Sequence, residues 1–132
     1  GKFNFKLKIG CPKKYSPNKS ILKLAKKEKV NLTITSKPIE AAIGADCVMT
    51  DKWISMNDKV NKKIKKKHLK NYQVNKSLML KANSNAIFMH CLPVGRGEEV
   101  TDEVIDGKQS VVWLQALNRV HAQKSIINWC LN

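Results

Sequence analysis

The sequence predicts an α/β domain, namely a three-layer, Rossmann-like fold with a five-stranded, mainly parallel sheet. Two observations lead to this fold class. Short apolar or β-branched segments alternate with helix-like segments along the whole chain, and such alternation is typical of a parallel sheet with helices on both faces. The chain has 132 residues, which suffice for one domain with a modest core but not for two full-sized ones. Residues 1–132 are therefore treated as one domain.

The first 35 residues predict a strand, a helix and a second strand. In residues 3–9 every second residue is apolar, which is the period of a half-buried strand. Ser16 and Pro17 mark a helix start, because Ser can cap and Pro suits the first turn. That helix is expected to run to about Lys29, and the β-branched segment 30–35 follows as the second strand.

Another helix and strand precede the Lys-rich middle of the chain. Pro38 starts a short helix, and Gly44 is expected to stop it. Residues 47–50 predict the third strand. The Lys-dense segment 58–70 contains few aliphatic residues, so we expect an exposed helix there.

The last part of the chain predicts two more strands and three more helices. Residues 75–80 suggest a short helix, and the apolar segment 86–89 suggests a buried strand. Thr101 is a candidate cap for a brief helix that ends at Gly107. Residues 110–114 predict the fifth strand, and the final helix is expected to begin at Asn118.

The basic charge raises the question of nucleic-acid binding. The formal net charge is +15 and the isoelectric point is about 9.9, as in many nucleic-acid-binding domains. However, only Arg96 and Arg119 are arginines, and Arg is the residue that usually reads bases and clamps phosphates in a bidentate manner. A nucleic-acid partner is therefore not favoured.

The composition also predicts the compartment. No apolar run is long enough to span a membrane, and no signal-peptide pattern opens the chain. The four cysteines show no C-x-x-C spacing, so neither a zinc site nor a disulfide framework is expected. We therefore expect a cytoplasmic protein with free thiols. The chain begins with Gly1 instead of Met, which suggests a piece of a longer protein.

In parallel α/β sheets, ligands bind at the carboxyl ends of the strands. Three segments occupy such ends in the predicted fold, namely residues 51–56, 90–93 and 118–119. Asp51 and Ser55 could hold an amino group. Cys91 could be a reactive thiol if positive charge stabilised its thiolate, and Arg119 at the start of a helix could bind an anion. Taken singly, Asp51, Ser55, Cys91 and His90 fit a structural role better than a functional one, and Arg119 fits both equally well.

Together the segments resemble the ornithine carbamoyltransferase family. The chain contains the family's D-x-x-x-S-M loop at 51–56, its H-C-L-P turn at 90–93 and its later N-R pair at 118–119, in the family's order. The segments 8–15, 72–75 and 96–100 also fit. The resemblance runs from about Lys6 to the C-terminus and corresponds to the family's ornithine-binding domain.

The resemblance implies transfer of the carbamoyl group from carbamoyl phosphate to L-ornithine, giving L-citrulline and phosphate. It implies that Asp51, Ser55 and Met56 bind ornithine and that Cys91 lies beside the attacking nitrogen, orienting or deprotonating it. It further implies that Leu92 accepts a hydrogen bond from the carbamoyl group and that Arg119 stabilises the carbamoyl oxygen or the phosphate. No metal or organic cofactor is implied, and the complete enzyme is expected to be a homotrimer or higher oligomer.

The sequence departs from the family in three respects. Asn57 replaces a glycine after S-M, and Leu117 replaces the acidic residue before N-R. The S-T-R-T phosphate cradle and the H-P-x-Q element of the family's first, carbamoyl-phosphate-binding domain are absent from these 132 residues, so the chain alone is expected to be inactive.

Two alternatives remain. One is a related carbamoyltransferase that acts on a modified ornithine or a diamine. The other is a non-catalytic basic module that uses the Lys run at 59–70 to bind nucleic acid or another anionic surface.

Overall fold

The computed structural model describes residues 4–54 and 61–132, and it confirms an α/β fold built on parallel strands. Strands β1 (Leu7–Gly10) and β2 (Leu32–Thr35) form one parallel pair. Strands β3 (Cys47–Thr50) and β4 (Ile87–His90) form a second one. The described residues thus contain four strands in two pairs instead of one five-stranded sheet, and the three-layer arrangement stays a prediction.

Six α-helices connect and follow the strands in the described residues. They are α1 (Lys19–Lys27), α2 (Pro38–Ala42), α3 (Lys62–Leu69), α4 (Lys76–Met79), α5 (Asp102–Ile105) and α6 (Val112–Leu131). Helix α2 contacts both β1 and β2, and α6 contacts β4. No helix in the described ranges is long and apolar enough to cross a bilayer.

The predicted fifth strand at 110–114 is wrong. Ser110 forms only an isolated parallel bridge with Phe88, and helix α6 already begins at Val112. Val112 is fully buried, whereas Trp113 and Leu114 are exposed, so Val112 alone anchors the first turn of the helix in the core. As a consequence, the last helix begins six residues before the predicted start at Asn118.

The starts of strand β1 and helix α1 also differ from the prediction. Strand β1 begins at Leu7, opposite Leu32, whereas Phe5 lies outside it and is exposed. Helix α1 begins at Lys19, and its cap is Asn18, whose Oδ1 accepts a hydrogen bond from the Ser20 N–H at 3.0 Å. Ser16 therefore does not cap this helix.

Other predicted boundaries are confirmed. Pro38 occupies the first turn of α2, and Gly44 follows that helix with a φ of +65°, a conformation that favours glycine. Strand β3 has the predicted bounds. Thr101 precedes α5 as predicted, although its side chain makes no capping hydrogen bond.

The core lies around β4. Its buried apolar residues come from β4, α4, α5, the start of α6 and neighbouring loops, and they are Val74, Met79, Phe88, Val100, Val104, Ile105 and Val112. Helices α1 and α3 contribute no buried residue. The rigid framework therefore surrounds the carboxyl end of β4, where the H-C-L-P turn begins.

Candidate active site

The register of β3 and β4 brings two predicted site residues together. Thr50 and His90 are partners in the parallel pair, so Asp51 and Cys91 each come directly after paired residues. The thiol of Cys91 donates a hydrogen bond to Asp51 Oδ1 across 3.0 Å. The same oxygen also accepts the backbone N–H of Lys52 at 2.6 Å. Residues 51 and 91 thus directly follow β3 and β4, as the sequence predicted, and the structure brings their side chains into contact.

This hydrogen bond shifts the pKa values of Asp51 and Cys91 in opposite directions. The hydrogen bond from Cys91 is the main reason why the pKa of Asp51 lies below its usual range. The hydrogen bond to Asp51 and then partial burial raise the pKa of Cys91 above its usual range. The charge of Arg119 opposes this effect but does not reverse it. At neutral pH the pair is therefore a carboxylate and a neutral thiol, and the stabilised thiolate considered from the sequence is not favoured.

The H-C-L-P turn is held by two side chains that accept backbone hydrogen bonds. His90 Nδ1 accepts the N–H of Leu92 at 2.9 Å, and Gln115 Oε1 accepts the N–H of His90 at 3.1 Å. Leu92 has a φ of +56° and is followed by a cis peptide bond to Pro93. The backbone is thus fixed on both sides of Cys91.

Between this turn and helix α6 lies an open cavity of about 720 Å³. Cys91, Leu92 and Pro93 line one wall, and Gln115 and Arg119 line the other. Gln115 and Arg119 are four residues apart, which places them on the same face of the helix. The residues predicted to supply the thiol, the backbone carbonyl and the guanidinium, namely Cys91, Leu92 and Arg119, therefore line one cavity.

The position of Arg119 differs from the prediction. It was expected at the helix start, beside free backbone N–H groups, but it lies seven residues after Val112, the first residue of α6. The argument from the helix N-terminus is therefore wrong for this residue. Within residues 4–54 and 61–132 no carboxylate pairs with Arg119, so its exposed guanidinium can receive an anion through its own N–H groups.

Ser55 and Met56, which the resemblance predicts to bind ornithine, lie outside the described residues, as does Asn57. Their predicted roles consequently stay predictions. Leu117, the departure before the N-R pair, lies on α6 and is 55% exposed. Leu117 thus cannot supply the acidic contact that the family's usual residue would offer.

Two residues of the site were missed in the sequence. Gln115 was not considered because the segment before it was predicted to be a strand. With the helix start at Val112, the spacing of Gln115 and Arg119 would have indicated a shared face. Glu99 was also missed, although its side chain is fully buried and its Oε1 lies 3.4 Å from Nε2 of the equally buried His90. A carboxylate in a polar loop carries no sequence signal of such burial.

Comparisons with known proteins identify the family of this chain. Residues 1–130 match the family model described as the Asp/Orn binding domain of aspartate/ornithine carbamoyltransferase. The ornithine carbamoyltransferase of Rhodopseudomonas palustris is 55% identical over 130 residues, which are 98% of this chain and 42% of that protein. The chain therefore spans less than half the length of this relative.

Solved structures show the same fold. The ornithine carbamoyltransferase of Pyrococcus furiosus superposes with a TM-score of 0.83 at 39% identity, covering 92% of this chain and 40% of that one. The anabolic ornithine carbamoyltransferase of Campylobacter jejuni gives a TM-score of 0.85 at 31% identity, covering 95% of this chain and 43% of that one. Together with the family-model match, these structures show that the chain belongs to the aspartate/ornithine carbamoyltransferase family, as its Asp/Orn-binding domain.

Proposed function

We propose that the protein to which this chain belongs transfers the carbamoyl group from carbamoyl phosphate to the δ-amino group of L-ornithine. The products are L-citrulline and phosphate. The observation that carries the proposal is the hydrogen-bonded pair of Asp51 and Cys91, with Cys91 and Arg119 lining one cavity. The names of the relatives support ornithine as the amino substrate.

The charges of the site suit an amine nucleophile. Asp51, which is kept ionised by its lowered pKa, would attract the δ-amino end of ornithine and hold it beside Cys91. Only the neutral amine can attack, because its lone pair forms the new C–N bond. A neutral Cys91 thiol cannot take up a proton, so its role in this proposal is to orient the nitrogen instead of deprotonating it.

Arg119 and Leu92 would act on the other reactant. As the C–N bond forms and the C–O bond to phosphate breaks, negative charge develops on the carbamoyl oxygen and on the departing phosphate. The Arg119 guanidinium would stabilise that charge, and the Leu92 carbonyl would accept a hydrogen bond from the carbamoyl NH₂. The proton lost from the nitrogen leaves with the phosphate. Ser55 and Met56 would hold the amino-acid end of ornithine.

A carbamoyl-phosphate-binding domain outside this chain would complete the site. Much of α6 is apolar yet exposed, including Trp113, Leu117 and Trp129, and such a surface favours further protein packed against it. Family resemblance supports a homotrimer or higher oligomer for the complete protein, which light scattering would measure.

The test compares the complete protein with the chain alone. The complete protein should form citrulline from ornithine and carbamoyl phosphate, and it should prefer ornithine over putrescine and N-acetylornithine. The chain alone should form none, because it lacks the phosphate cradle. Citrulline from the pure chain, or a preference for another amine, would contradict the proposal.

A variant pair tests the placement of Cys91. Cys91→Ala in the complete protein should lower kcat while leaving the melting temperature close to that of the parent, because the thiol is exposed at the cavity. Cys47→Ala, which removes another exposed thiol, is the control and should leave kcat unchanged. A strong loss of stability with unchanged kinetics in Cys91→Ala would assign the thiol a structural role.

A further inference from the structure

Two buried polar side chains beneath the H-C-L-P turn have no role in the proposed reaction. His90 and Glu99 both have fully buried side chains, and His90 Nε2 lies 3.4 Å from Glu99 Oε1. His90 Nε2 and Glu99 Oε2 make no hydrogen bond to any residue that the structure describes. Burial of such groups costs free energy unless a neighbour compensates for it. The position of this pair therefore requires an explanation other than core packing.

The hydrogen bonds identify which nitrogen of His90 carries the proton. His90 Nδ1 accepts the N–H of Leu92 at 2.9 Å, so Nδ1 has no proton of its own and the proton lies on Nε2. Nε2 in turn faces Glu99. A carboxylate beside Nε2 favours this tautomer, and the tautomer keeps Nδ1 available as an acceptor.

The backbone that His90 holds is in an unfavourable conformation. Leu92 has a φ of +56°, a region that non-glycine residues rarely adopt because it is strained. Glu99 holds the other end of the turn, because its Oε1 accepts a short hydrogen bond from the Gly95 N–H. The adjacent side chains of His90 and Glu99 thus accept backbone hydrogen bonds from Leu92 and Gly95, respectively.

We propose that Glu99 and His90 are positioning residues that hold the turn in its left-handed conformation and so keep Cys91 and Leu92 on the wall of the cavity. Their kinetic effect rests on the proposed function. Their effect on the Leu92 amide does not, because both partners of that hydrogen bond, the Leu92 N–H and His90 Nδ1, belong to this chain. The two readouts therefore separate failure of this proposal from failure of the proposed function.

Two substitutions of His90 form a matched pair. The Oδ1 of Asn lies near the position of Nδ1 in His, so His90→Asn keeps an acceptor for the Leu92 N–H. The amide of Gln extends towards the position of Nε2, so His90→Gln keeps a polar group facing Glu99 but loses the acceptor. Both variants remove an imidazole from the core, and they should therefore share whatever stability loss comes from packing.

The experiment measures amide exchange and turnover in the complete protein. Hydrogen–deuterium exchange with mass spectrometry should show the Leu92 amide protected in the parent and in His90→Asn. In His90→Gln its exchange should be faster by about tenfold, the effect of losing one hydrogen bond. We expect kcat for citrulline formation to fall by about tenfold or more in His90→Gln and to recover to within about threefold of the parent in His90→Asn, with similar melting temperatures for both variants.

Equal exchange of the Leu92 amide in the two variants would overturn the proposal. If the parent forms no citrulline, the proposed function fails, and the exchange result still decides the positioning role. If neither His90 variant folds, Gly95→Ala decides, since it retains both His90 and Glu99 and disturbs only the position of the Glu99 carboxylate. A Cβ at Gly95 would lie 2.7 Å from Glu99 Oε2, so it must displace the carboxylate. Faster Leu92 exchange in that variant would support the proposal, and unchanged exchange would overturn it.

Discussion

Cys91 and Asp51 form a thiol–carboxylate hydrogen bond of 3.0 Å that joins the ends of two neighbouring strands. The bond keeps the carboxyl ionised and the thiol protonated, because a thiolate beside Asp51 would lose the hydrogen bond and face a like charge. This pair consequently presents one fixed negative charge to the site. Such a charge attracts an amine more effectively than it activates a thiol nucleophile.

The first prediction concerns the ionisation of Cys91. Asp51→Asn should lower the pKa of the Cys91 thiol, because the substitution removes the negative charge that disfavours the thiolate. The measurement is the rate of iodoacetamide labelling at Cys91 as a function of pH, followed by mass spectrometry. In the parent the labelling rate should rise only above the usual pH range of cysteine, and in the variant it should rise at lower pH.

Cys47 is an internal control for this measurement. Partial burial is the cause that raises the pKa of Cys47, and no carboxylate contributes to it. The labelling profile of Cys47 should therefore not change when Asp51 is replaced. An unchanged or higher pKa for Cys91 in Asp51→Asn would mean that burial, instead of the carboxylate, controls this thiol.

The second prediction concerns Arg119. If the guanidinium stabilises developing charge, Arg119→Lys in the complete protein should lower kcat/KM for carbamoyl phosphate. The loss should correspond to about 2–4 kcal/mol of transition-state stabilisation, as expected when a preorganised donor is lost. The physical reason is that an ammonium group cannot reproduce two parallel N–H bonds. Steady-state kinetics measures the effect, and circular dichroism verifies folding.

Arg96 provides the matched control, since it is the only other arginine in the sequence. It pairs with Asp102 and Asp106 at the surface, so Arg96→Lys should leave kcat/KM nearly unchanged. A folded Arg119→Lys variant that loses less than about tenfold, or ~1.4 kcal/mol, would reject the role assigned to Arg119.

A third prediction concerns the start of α1. Asn18→Ala should lower the free energy of unfolding by about 1 kcal/mol, because it removes the acceptor for a backbone N–H in the first turn of the helix. Ser16→Ala removes the residue that the sequence suggested as cap and should have almost no effect. Urea denaturation measures both variants. Equal losses, or a larger loss for Ser16→Ala, would contradict the observed cap.

The sequence was most informative where a pattern had one physical meaning. The apolar segment 47–50 lies between a helix stop and a polar loop, and it forms β3 as predicted. Since parallel strands place their carboxyl ends at one edge, the sequence placed Asp51 and Cys91 at that edge, and the pairing of β3 with β4 in the structure brings them together. The family motifs then supplied the chemistry, which composition and periodicity could not.

The prediction from the sequence was wrong where one pattern of residues fits both a strand and a helix. Residues 110–114 are apolar enough for a strand, and only the burial of Val112 against the core shows that they begin a helix. That error moved the expected helix start and hid Gln115. The contact of His90 with Glu99 spans nine residues of irregular chain and depends on the turn at Leu92, so no periodic pattern could have indicated it.

The last prediction concerns the Lys-rich helix α3. The sequence suggested an exposed basic helix, with binding of an anionic partner as an alternative function, and the structure shows that the lysines of this helix have different surroundings. Lys66 pairs with Glu98, next to the buried Glu99, and Lys65 lies 5.9 Å from the centre of the Tyr15 ring. Lys62, Lys63 and Lys67 are exposed. Only these three are therefore suitable for a test of charge alone.

Replacing Lys62, Lys63 and Lys67 together by Gln in the complete protein should leave the KM for ornithine within about threefold, or ~0.7 kcal/mol, because salt screens exposed charges. Lys66→Gln is the control on the same helix, and it should lower the melting temperature slightly by breaking a partly exposed ion pair.

Binding of a fluorescent DNA duplex, measured by anisotropy at physiological ionic strength, should be weak in the parent and in the triple variant. Tight binding that disappears in the triple variant would instead identify α3 as a nucleic-acid surface. A rise in the KM for ornithine well above threefold would mean that the charges of α3 contribute to the substrate site.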